Sequence, residues 1–401
     1  MKCIIDGAYG FNNVGDEAML STASSVLSEM APEIDIVVSS YLPHRINELH
    51  GLASSKDLLL GTLIRNILKL KIKNLTEQVR FFKSIDLMVF AGGSLLNDSK
   101  GIRSLFVILY KVLISKLFGF KVVFWGVSIG PIRTKIAKAM ISWILNKSEL
   151  AILRDESSYL LAKQLSLGKG NIKQGVDILF SAETFRMDEK VSANNDSQNK
   201  MRIGLSLRPY PPIIGVDVNK FDTNMINQVS RLCEKLSKKM GVTIVPLVFS
   251  EGKEHKDDLG LLLKVKDLSI NTEFDDIDIK ISDVSNAHFM NHLKALFRKY
   301  QSLDLVIGER FHSLVISQLL GVSYIGLSYD AKIDELANLA GTKPYIVDLV
   351  SALENNDLYI KVLEIFEQME NKKIKFDENN MKILKQAGYD RNAIKELICS
   401  I

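Results

Sequence analysis

The sequence has few cysteines and little net charge. Its three cysteines, Cys3, Cys233 and Cys399, are far apart and form no CxxC pair, so neither a zinc site nor a disulfide framework is expected. A reducing cytosol is therefore the simplest compartment. Lys and Arg total 51 against 47 for Asp and Glu, a net charge of +4. This small excess argues against a dedicated nucleic-acid-binding protein, in which a basic stripe would dominate.

Long hydrophobic runs are also missing. The longest apolar stretch, 105–118, is interrupted by two lysines and is too short and too charged to span a bilayer. The first apolar run ends after three residues at Asp6, which predicts no signal peptide. Basic apolar stretches at 63–73 and 102–121 fit either core helices with a solvated basic face or a peripheral contact with an anionic membrane.

Strand-like and helical runs alternate along all 401 residues, the order typical of parallel sheets covered on both faces. Strands are predicted at 2–6, 34–39, 86–90, 121–127, 149–153, 202–207, 242–248, 277–282, 303–307 and 323–327. Helices are predicted at 16–30, 55–83, 100–118, 133–147, 155–167, 220–240, 253–268, 286–300, 312–320 and 331–340, followed by a charged helical tail.

A polar segment at 186–200, almost without large apolar residues, predicts a linker between two domains. The expected division is an N-terminal Rossmann-like domain at 1–185, a C-terminal one at 201–375 and a helical tail at 376–401. Two Rossmann-like halves facing a cleft is the layout of GT-B glycosyltransferases. No dinucleotide fingerprint GxGxxG occurs in the first loop, so NAD is not favoured, and no metal site is expected.

Ligands of open parallel sheets bind beyond the carboxyl ends of the strands. The first such exit reads GAYGFNNVGDE at 7–17, where three glycines let the backbone approach a ligand closely. Asp16 is either a helix N-cap or a functional carboxylate, and Asn12 and Asn13 lie in the same loop.

Two further exits are rich in glycine. AGGSLLND at 91–98 places Gly92, Gly93, Ser94 and Asn97 after a buried strand, and GVSIGP follows at 126–131. Each is a weak signal alone, because tight turns between strands and helices use the same residues.

Cationic side chains end several strands. Arg154 and Arg208 each follow an apolar strand, so each needs an anionic partner, which is either a ligand or a structural carboxylate such as Asp155 or Glu156 for Arg154. Arg310 and His312 are two residues apart at another strand end, where a helix begins, and its free amides favour an anion.

Lys332 follows the next strand and is either a phosphate ligand or an exposed helical lysine. Together these groups predict a cationic cleft faced by only one or two carboxylates, such as Asp16. The substrate expected for such a cleft is small and highly anionic.

The ordered set GAYGFNNVGDEAML, FAGGSLLND, GVSIGP, LRDESS, GLSLRP and ERFHSLVISQLLGVSYIGLSYDAK resembles the polysaccharide pyruvyl transferase family, over residues 5 to about 341. Its specific parts are the R-x-H segment followed some twenty residues later by Y-x-x-K, and the N-terminal loop. Ser94 and Ser323 stand where the family usually has glycine and proline. The first departure bears on the acceptor site and the second on a loop.

The resemblance implies a GT-B-like enzyme without a dissociable cofactor. It would transfer the enolpyruvyl group of phosphoenolpyruvate to a sugar of a cell-surface polysaccharide or its lipid-linked precursor, forming a pyruvate ketal and releasing phosphate. Arg154, Arg208, Arg310, His312 and Lys332 would bind phosphoenolpyruvate.

The remaining roles implied by the resemblance concern catalysis and the acceptor. His312 would donate a proton, to the methylene carbon or to the departing phosphate, and Asp16 would act as the base. The loops with Asn12, Asn13, Gly92, Gly93, Ser94 and Asn97 would bind the acceptor. The enzyme would be cytoplasmic, at the inner face of the membrane if its acceptor is lipid-linked.

Two other functions fit the same pattern. A GT-B glycosyltransferase would use a nucleotide sugar and ignore phosphoenolpyruvate, but no acidic residue to pair with ribose hydroxyls is evident. A non-catalytic polysaccharide-binding protein would use aromatic and carboxylate groups rather than this density of cations.

Overall fold

Two parallel β-sheets, each flanked by helices, form the chain. The structure is a computed structural model that describes residues 1–56, 58, 62, 66, 69, 71–99, 101–182, 200–209, 218–252, 257–277, 280–372 and 377–401. This confirms the predicted fold class of two Rossmann-like α/β domains.

The first sheet has seven strands in the order β3-β2-β1-β4-β5-β6-β7. They are β1 Lys2–Asp6, β2 Asp35–Ser39, β3 Ala53–Ser55, β4 Leu87–Ala91, β5 Lys121–Val127, β6 Leu150–Leu153 and β7 Ile172–Gln174. The described helices of this half are α1 Val14–Met30, α2 Pro43–His50, α3 Ile72–Lys83, α4 Arg103–Phe118, α5 Lys135–Lys147 and α6 Glu156–Ser166, and a 3-10 turn covers Ile178–Ser181.

The second sheet has six strands in the order β10-β9-β8-β11-β12-β13. They are β8 Met201–Ser206, β9 Val242–Pro246, β10 Glu273–Phe274, β11 Leu305–Gly308, β12 Tyr324–Ser328 and β13 Ile346–Asp348. Its helices are α7 Val218–Met240, α8 Asp258–Leu268, α9 Phe289–Gln301, α10 Phe311–Leu320, α11 Ala331–Ala340, α12 Leu349–Glu354 and α13 Leu358–Lys372, and α14 Asp377–Cys399 ends the chain.

Continuous apolar runs make the central strands. All five residues of β4, LMVFA, are buried, and so are all five of β9, VTIVP. A strand covered on both faces needs apolar side chains at every position, so it shows no alternation.

The order of strands fixes where a ligand can bind. In the first sheet β1 lies between β2 and β4, and in the second β8 lies between β9 and β11. At these points the direction of sheet growth reverses, which opens a crevice beyond the carboxyl ends of the strands.

The loop after β1 docks on the segment after β9 and so joins the two domains. The amide of Val14 donates to the Phe249 carbonyl at 2.8 Å, and Asn13 forms an antiparallel bridge with Ser250. The Glu251 amide donates to the Asn12 carbonyl at 3.3 Å. The two crevices are thereby held against one another.

Arg45 of α2 strengthens this contact. Its guanidinium donates to Asn12 Oδ1 at 3.0 Å in its own domain, and to the carbonyls of Ile281 at 2.6 Å and Val284 at 2.9 Å in the other. One side chain therefore holds the glycine- and asparagine-rich loop and the second domain together.

The predicted helical tail returns to the first domain. Asp390 of α14 accepts the Val176 amide at 2.9 Å, and Arg391 donates to the Ser181 carbonyl at 3.3 Å. Near the start of the same helix, Asn380 accepts from Gln318 of α10 at 2.7 Å. Helix α14 thus contacts both domains.

Some predicted elements were wrong. The predicted strand at 277–282 is not found: its nearest strand is β10, and a 3-10 turn covers Ile281–Asp283. The predicted helix at 55–83 is described as a helix from Ile72, and residue 55 belongs to β3. The linker prediction at 186–200 falls, except for residue 200, outside the described residues, and the domain boundaries stay predictions.

Within the described part of the chain, no helix combines the length and apolarity needed to cross a membrane.

Replacing Arg45 with alanine should weaken the domain contact. Besides its exposed bond to Glu48, the variant loses the three hydrogen bonds to Asn12, Ile281 and Val284 and leaves two carbonyls without this donor, so we expect the free energy of urea unfolding to fall by about 1–3 kcal/mol. Glu48→Gln is the control, because its exposed pair with Arg45 at 3.2 Å should contribute little. Equal stability of the two variants would contradict the role of Arg45.

Candidate functional site

The first turn of α1 meets the first turn of α10 across the cleft. The ring of His312 packs so closely on Gly15 that a Cβ at Gly15 would lie 2.0 Å from His312 Nδ1. Any side chain at this position would displace the imidazole, so the close approach requires glycine. Asp16, the next residue, is held within electrostatic range of His312.

Asp16 is a half-buried carboxylate with an altered proton affinity. Burial raises the pKa of Asp16 from 3.8 to about 6; the nearby His312 counteracts this most, and Glu17 adds to it. A carboxylate with such a pKa can accept a proton near neutral pH. The helix cap is Asn13 rather than Asp16, because Asn13 Oδ1 accepts the Gly15 amide at 3.1 Å.

Arg154, at the exit of β6, is buried and surrounded by acceptors. It donates to Asp177 Oδ2 at 2.7 Å, to Ser128 Oγ at 2.7 Å and to Ser94 Oγ at 3.3 Å. Its guanidinium carbon also lies 4.5 Å from the centre of the Phe311 ring. Asp155 and Glu156, the structural partners considered from the sequence, are not among these acceptors.

Asp177 connects Arg154 to His312. Its Oδ2 lies 3.7 Å from His312 Nε2, and this nitrogen is buried without a hydrogen-bond partner among the described residues. Burial would raise the pKa of Asp177, but His312 and Arg154 outweigh it and lower the pKa to about 2. His312 therefore has an ionised carboxylate beside its Nε2.

Arg310 is the N-cap residue of α10 and is also paired. It donates through Nε to Asp258 Oδ2 at 2.9 Å and makes a second bond through NH2 to Oδ1. Asp258 is fully buried and accepts the amides of Phe249 and Ser250, the residues that contact the first domain.

Arg208 and Lys332 gather around Tyr329. Arg208 donates to the Tyr329 hydroxyl at 2.6 Å and stacks 4.7 Å from the centre of its ring. Lys332 Nζ lies 5.4 Å from the same ring and 3.4 Å from Asp330, whose side chain is 45% exposed. These two cations are less compensated than Arg154 and Arg310.

A small cavity brings Lys332 and Arg154 to one place. Its lining includes both side chains together with Asp177 and Phe311. The structure therefore places Arg154, His312 and Lys332 in one cluster. Arg208 contacts the same tyrosine as Lys332, and Arg310 is bound to Asp258.

The predicted acceptor loops lie at the first-domain crevice. Asn12 accepts from Arg45 and Asn13 caps α1, each through Oδ1. Gly92 has a φ of +71° and packs on Met19, where a Cβ would lie 2.2 Å from the sulfur.

Of the other acceptor residues, Ser94 contacts the cationic cluster directly. Its hydroxyl accepts from Arg154, whereas Asn97 donates to the Ser94 carbonyl at 2.6 Å and stabilises a local turn. Gly93 has a φ of +80°, and its carbonyl accepts the Ser128 amide at 3.0 Å. The structure thus connects this loop to the cluster through Ser94.

The expectation that only one or two carboxylates face the cations was wrong. Asp177, Asp258 and Glu309 join Asp16 among the cationic residues. Buried arginines stay ionised only when they are compensated, and their partners lie 23 and 52 residues away in sequence. The sequence indicated only that an arginine after an apolar strand needs an anionic partner, and it did not indicate which residue that partner is.

The described residues contain no group of three or more His, Cys, Asp or Glu side chains arranged to hold a metal ion.

The fold is that of GT-B-like sugar-nucleotide enzymes. UDP-GlcNAc 2-epimerase from Neisseria meningitidis, bound to UDP-GlcNAc, aligns over 100% of both chains with a TM-score of 0.56 and 11% identity. The enzyme from Methanocaldococcus jannaschii aligns over 99% of both with a TM-score of 0.58 and 12% identity. S. aureus MnaA with UDP aligns over 98% of this chain and 95% of its own, with a TM-score of 0.58 and 12% identity.

The family to which the chain belongs is identified from its sequence. A model of the polysaccharide pyruvyl transferase family matches residues 13–331. This range includes Asp16, Arg154, Arg208, Arg310 and His312 and ends one residue before Lys332. The chain belongs to the polysaccharide pyruvyl transferase family.

We expect Asp16 to titrate near pH 6 in a carbon-detected NMR experiment, and at higher pH in His312→Ala, because His312 is the main group that favours the carboxylate. Since the folded-state pKa lies above the ordinary 3.8, stability from this group is lost as the pH rises through about 6. His44→Ala, at an exposed position of α2, is the control and should leave the midpoint unchanged. An unchanged midpoint in His312→Ala would contradict the site geometry.

Proposed function

We propose that the protein transfers the enolpyruvyl group of phosphoenolpyruvate to a sugar, forming a pyruvate ketal and releasing phosphate. The observation that carries this proposal is the cationic cluster of Arg154, Arg208, Lys332 and His312 beside Asp16, in a chain of the pyruvyl transferase family. Phosphoenolpyruvate has two anionic groups, a carboxylate and a phosphate, which suit such a cluster.

The donor would lie between the two helix starts. Arg208 and Lys332, the less compensated cations, would bind its anionic groups, while Arg154 and Arg310 form the rest of the pocket. The free amides at the start of α10 favour an anion next to His312.

The chemistry needs one base and one acid. Asp16 would take the proton of the attacking sugar hydroxyl, whose oxygen bonds to the central carbon of the donor. The methylene carbon gains a proton and becomes a methyl group. A second sugar hydroxyl then bonds to the same carbon as the bond to the phosphate oxygen breaks, and its proton leaves with phosphate. His312 would supply the proton either to carbon or to phosphate.

The acceptor would bind in the first-domain crevice. Gly93 leaves space beside the backbone, because a Cβ there would meet only Leu95, at 3.7 Å, and Ser94 reaches the donor through Arg154. Asn12, Asn13 and Asn97 line the same loops. A lipid-linked acceptor would bring the cytoplasmic enzyme to the inner face of the membrane.

The donor is tested by phosphate release. The purified protein is given phosphoenolpyruvate with a panel of lipid-linked and nucleotide-linked sugars, and UDP-sugars are tested as competing donors. Phosphoenolpyruvate should also raise the melting temperature by mass action. No heat and no melting shift with saturating phosphoenolpyruvate, combined with a response to UDP-sugars, would overturn the proposal.

His312→Ala should fold normally but lose roughly 10²–10⁴ in turnover, the usual range for a positioned acid. His312→Gln should keep some donor binding, because its amide can still form hydrogen bonds. Melting temperature and turnover are measured on the same preparation. A variant that is destabilised but active per folded molecule would remove His312 from the catalytic residues.

A further inference from the structure

Glu309 is a buried carboxyl group to which the proposed mechanism gives no role. It follows β11, and its own amide donates to the Ser206 carbonyl of β8 at 2.7 Å. Its side chain is fully buried, and Oε2 accepts the backbone amide of Arg208 at 3.0 Å. Glu309 therefore joins the exits of the two central strands of the second sheet.

The charged groups around Glu309 have other partners. The groups that act on it are Arg208 after β8, Arg310 at the N-cap of α10 and Asp258 in α8. Arg208 donates from its guanidinium to Tyr329, and Arg310 is bound to Asp258. The second oxygen of Glu309, Oε1, is buried without a hydrogen-bond partner among the described residues.

A buried carboxyl group in this position favours its proton. Burial raises the pKa of Glu309 from 4.5 to about 8, although Arg208 and Arg310 act in the opposite direction and Asp258 adds to the rise. In the neutral form, Glu309 leaves the charge of Arg208 available to an anion. In the ionised form, it places a negative charge directly behind Arg208.

We infer that Glu309 is a positioning residue for Arg208. While Glu309 is protonated and neutral, it holds Arg208 in place, and once Glu309 loses its proton, its negative charge weakens anion binding. The inference rests on the proposed function for the identity of the anion. Proton and anion binding are linked reciprocally, so the bound donor should also retain the proton on Glu309. This sets an upper pH limit for donor binding. It is separate from the role of Asp16, whose protonation at low pH would limit its action as a base.

The test compares the full-length wild type with Glu309→Gln, which keeps an acceptor for the Arg208 amide but cannot ionise. Calorimetry gives the Kd of phosphoenolpyruvate, and steady-state kinetics gives its KM and kcat. Between about pH 7 and about pH 9, wild-type Kd and KM should rise roughly three- to tenfold, with a smaller change in kcat. In Glu309→Gln both should stay within about twofold of the wild-type value at about pH 7.

Two more variants separate this role from a structural one. Glu309→Ala removes the acceptor and should weaken binding at every pH. Asp390→Asn removes another buried carboxyl group, whose pKa burial raises to about 7, and should keep the wild-type loss of affinity at high pH. The inference is wrong if wild-type Kd is flat over this range, if Glu309→Gln keeps the loss, or if Glu309→Gln binds as weakly as Glu309→Ala at about pH 7.

Sulfate separates this inference from the proposed donor. It is a divalent anion whose charge does not change over the tested range. If phosphoenolpyruvate fails to bind at any pH, the proposed function fails, while sulfate affinity that falls at high pH in wild type but not in Glu309→Gln still supports the role of Glu309. If phosphoenolpyruvate fails to bind and sulfate affinity is also absent or independent of pH, the proposed function and the role of Glu309 are both overturned.

Discussion

The site depends on the direct contact of two helix starts, that of α1 in one domain and that of α10 in the other. The contact exists because Gly15 has no side chain to keep His312 away. Both starts direct the positive ends of helix dipoles to the same space, and the start of α10 has no side-chain cap. An anion is therefore favoured there before any charged side chain is considered, and two carboxylates lie at the meeting point, Asp16 in the first turn of α1 and Asp177 beside His312.

The cations of the site divide into two groups with different partners. Arg154 and Arg310 have short bonds to buried aspartates, so they are part of the architecture: Asp177 fixes the one beside His312, and Asp258 fixes the other. Arg208 and Lys332 have an aromatic ring and an exposed aspartate instead. A ligand anion gains most from cations whose charge has not already been neutralised, and the second group is the less neutralised of the two.

The sequence analysis identified the groups at the strand exits but not their pairing. The central strands are continuous apolar runs, which made their positions clear, while β3 (ASS) and β7 (IKQ) are three-residue edge strands without such a run. Placement of the charged residues followed from the topology, because every parallel strand ends at the same edge. The partners Asp177 and Asp258 could not be found, because each pairing depends on how loops from distant parts of the chain pack together, which no local pattern records.

Helix α14 limits where the chain can be divided into separate domains. Because α14 contacts α10 through Asn380 and the segment after β7 through Asp390, the first domain is completed by a helix that follows the whole second sheet in sequence. A chain cut after residue 182 would contain every strand of the first sheet but would lack the helix that covers Val176 and Ser181, the neighbours of Asp177. The segment that holds Asp177, the anchor of Arg154, is therefore supported from a distant part of the sequence, and a first half produced alone would lack that support.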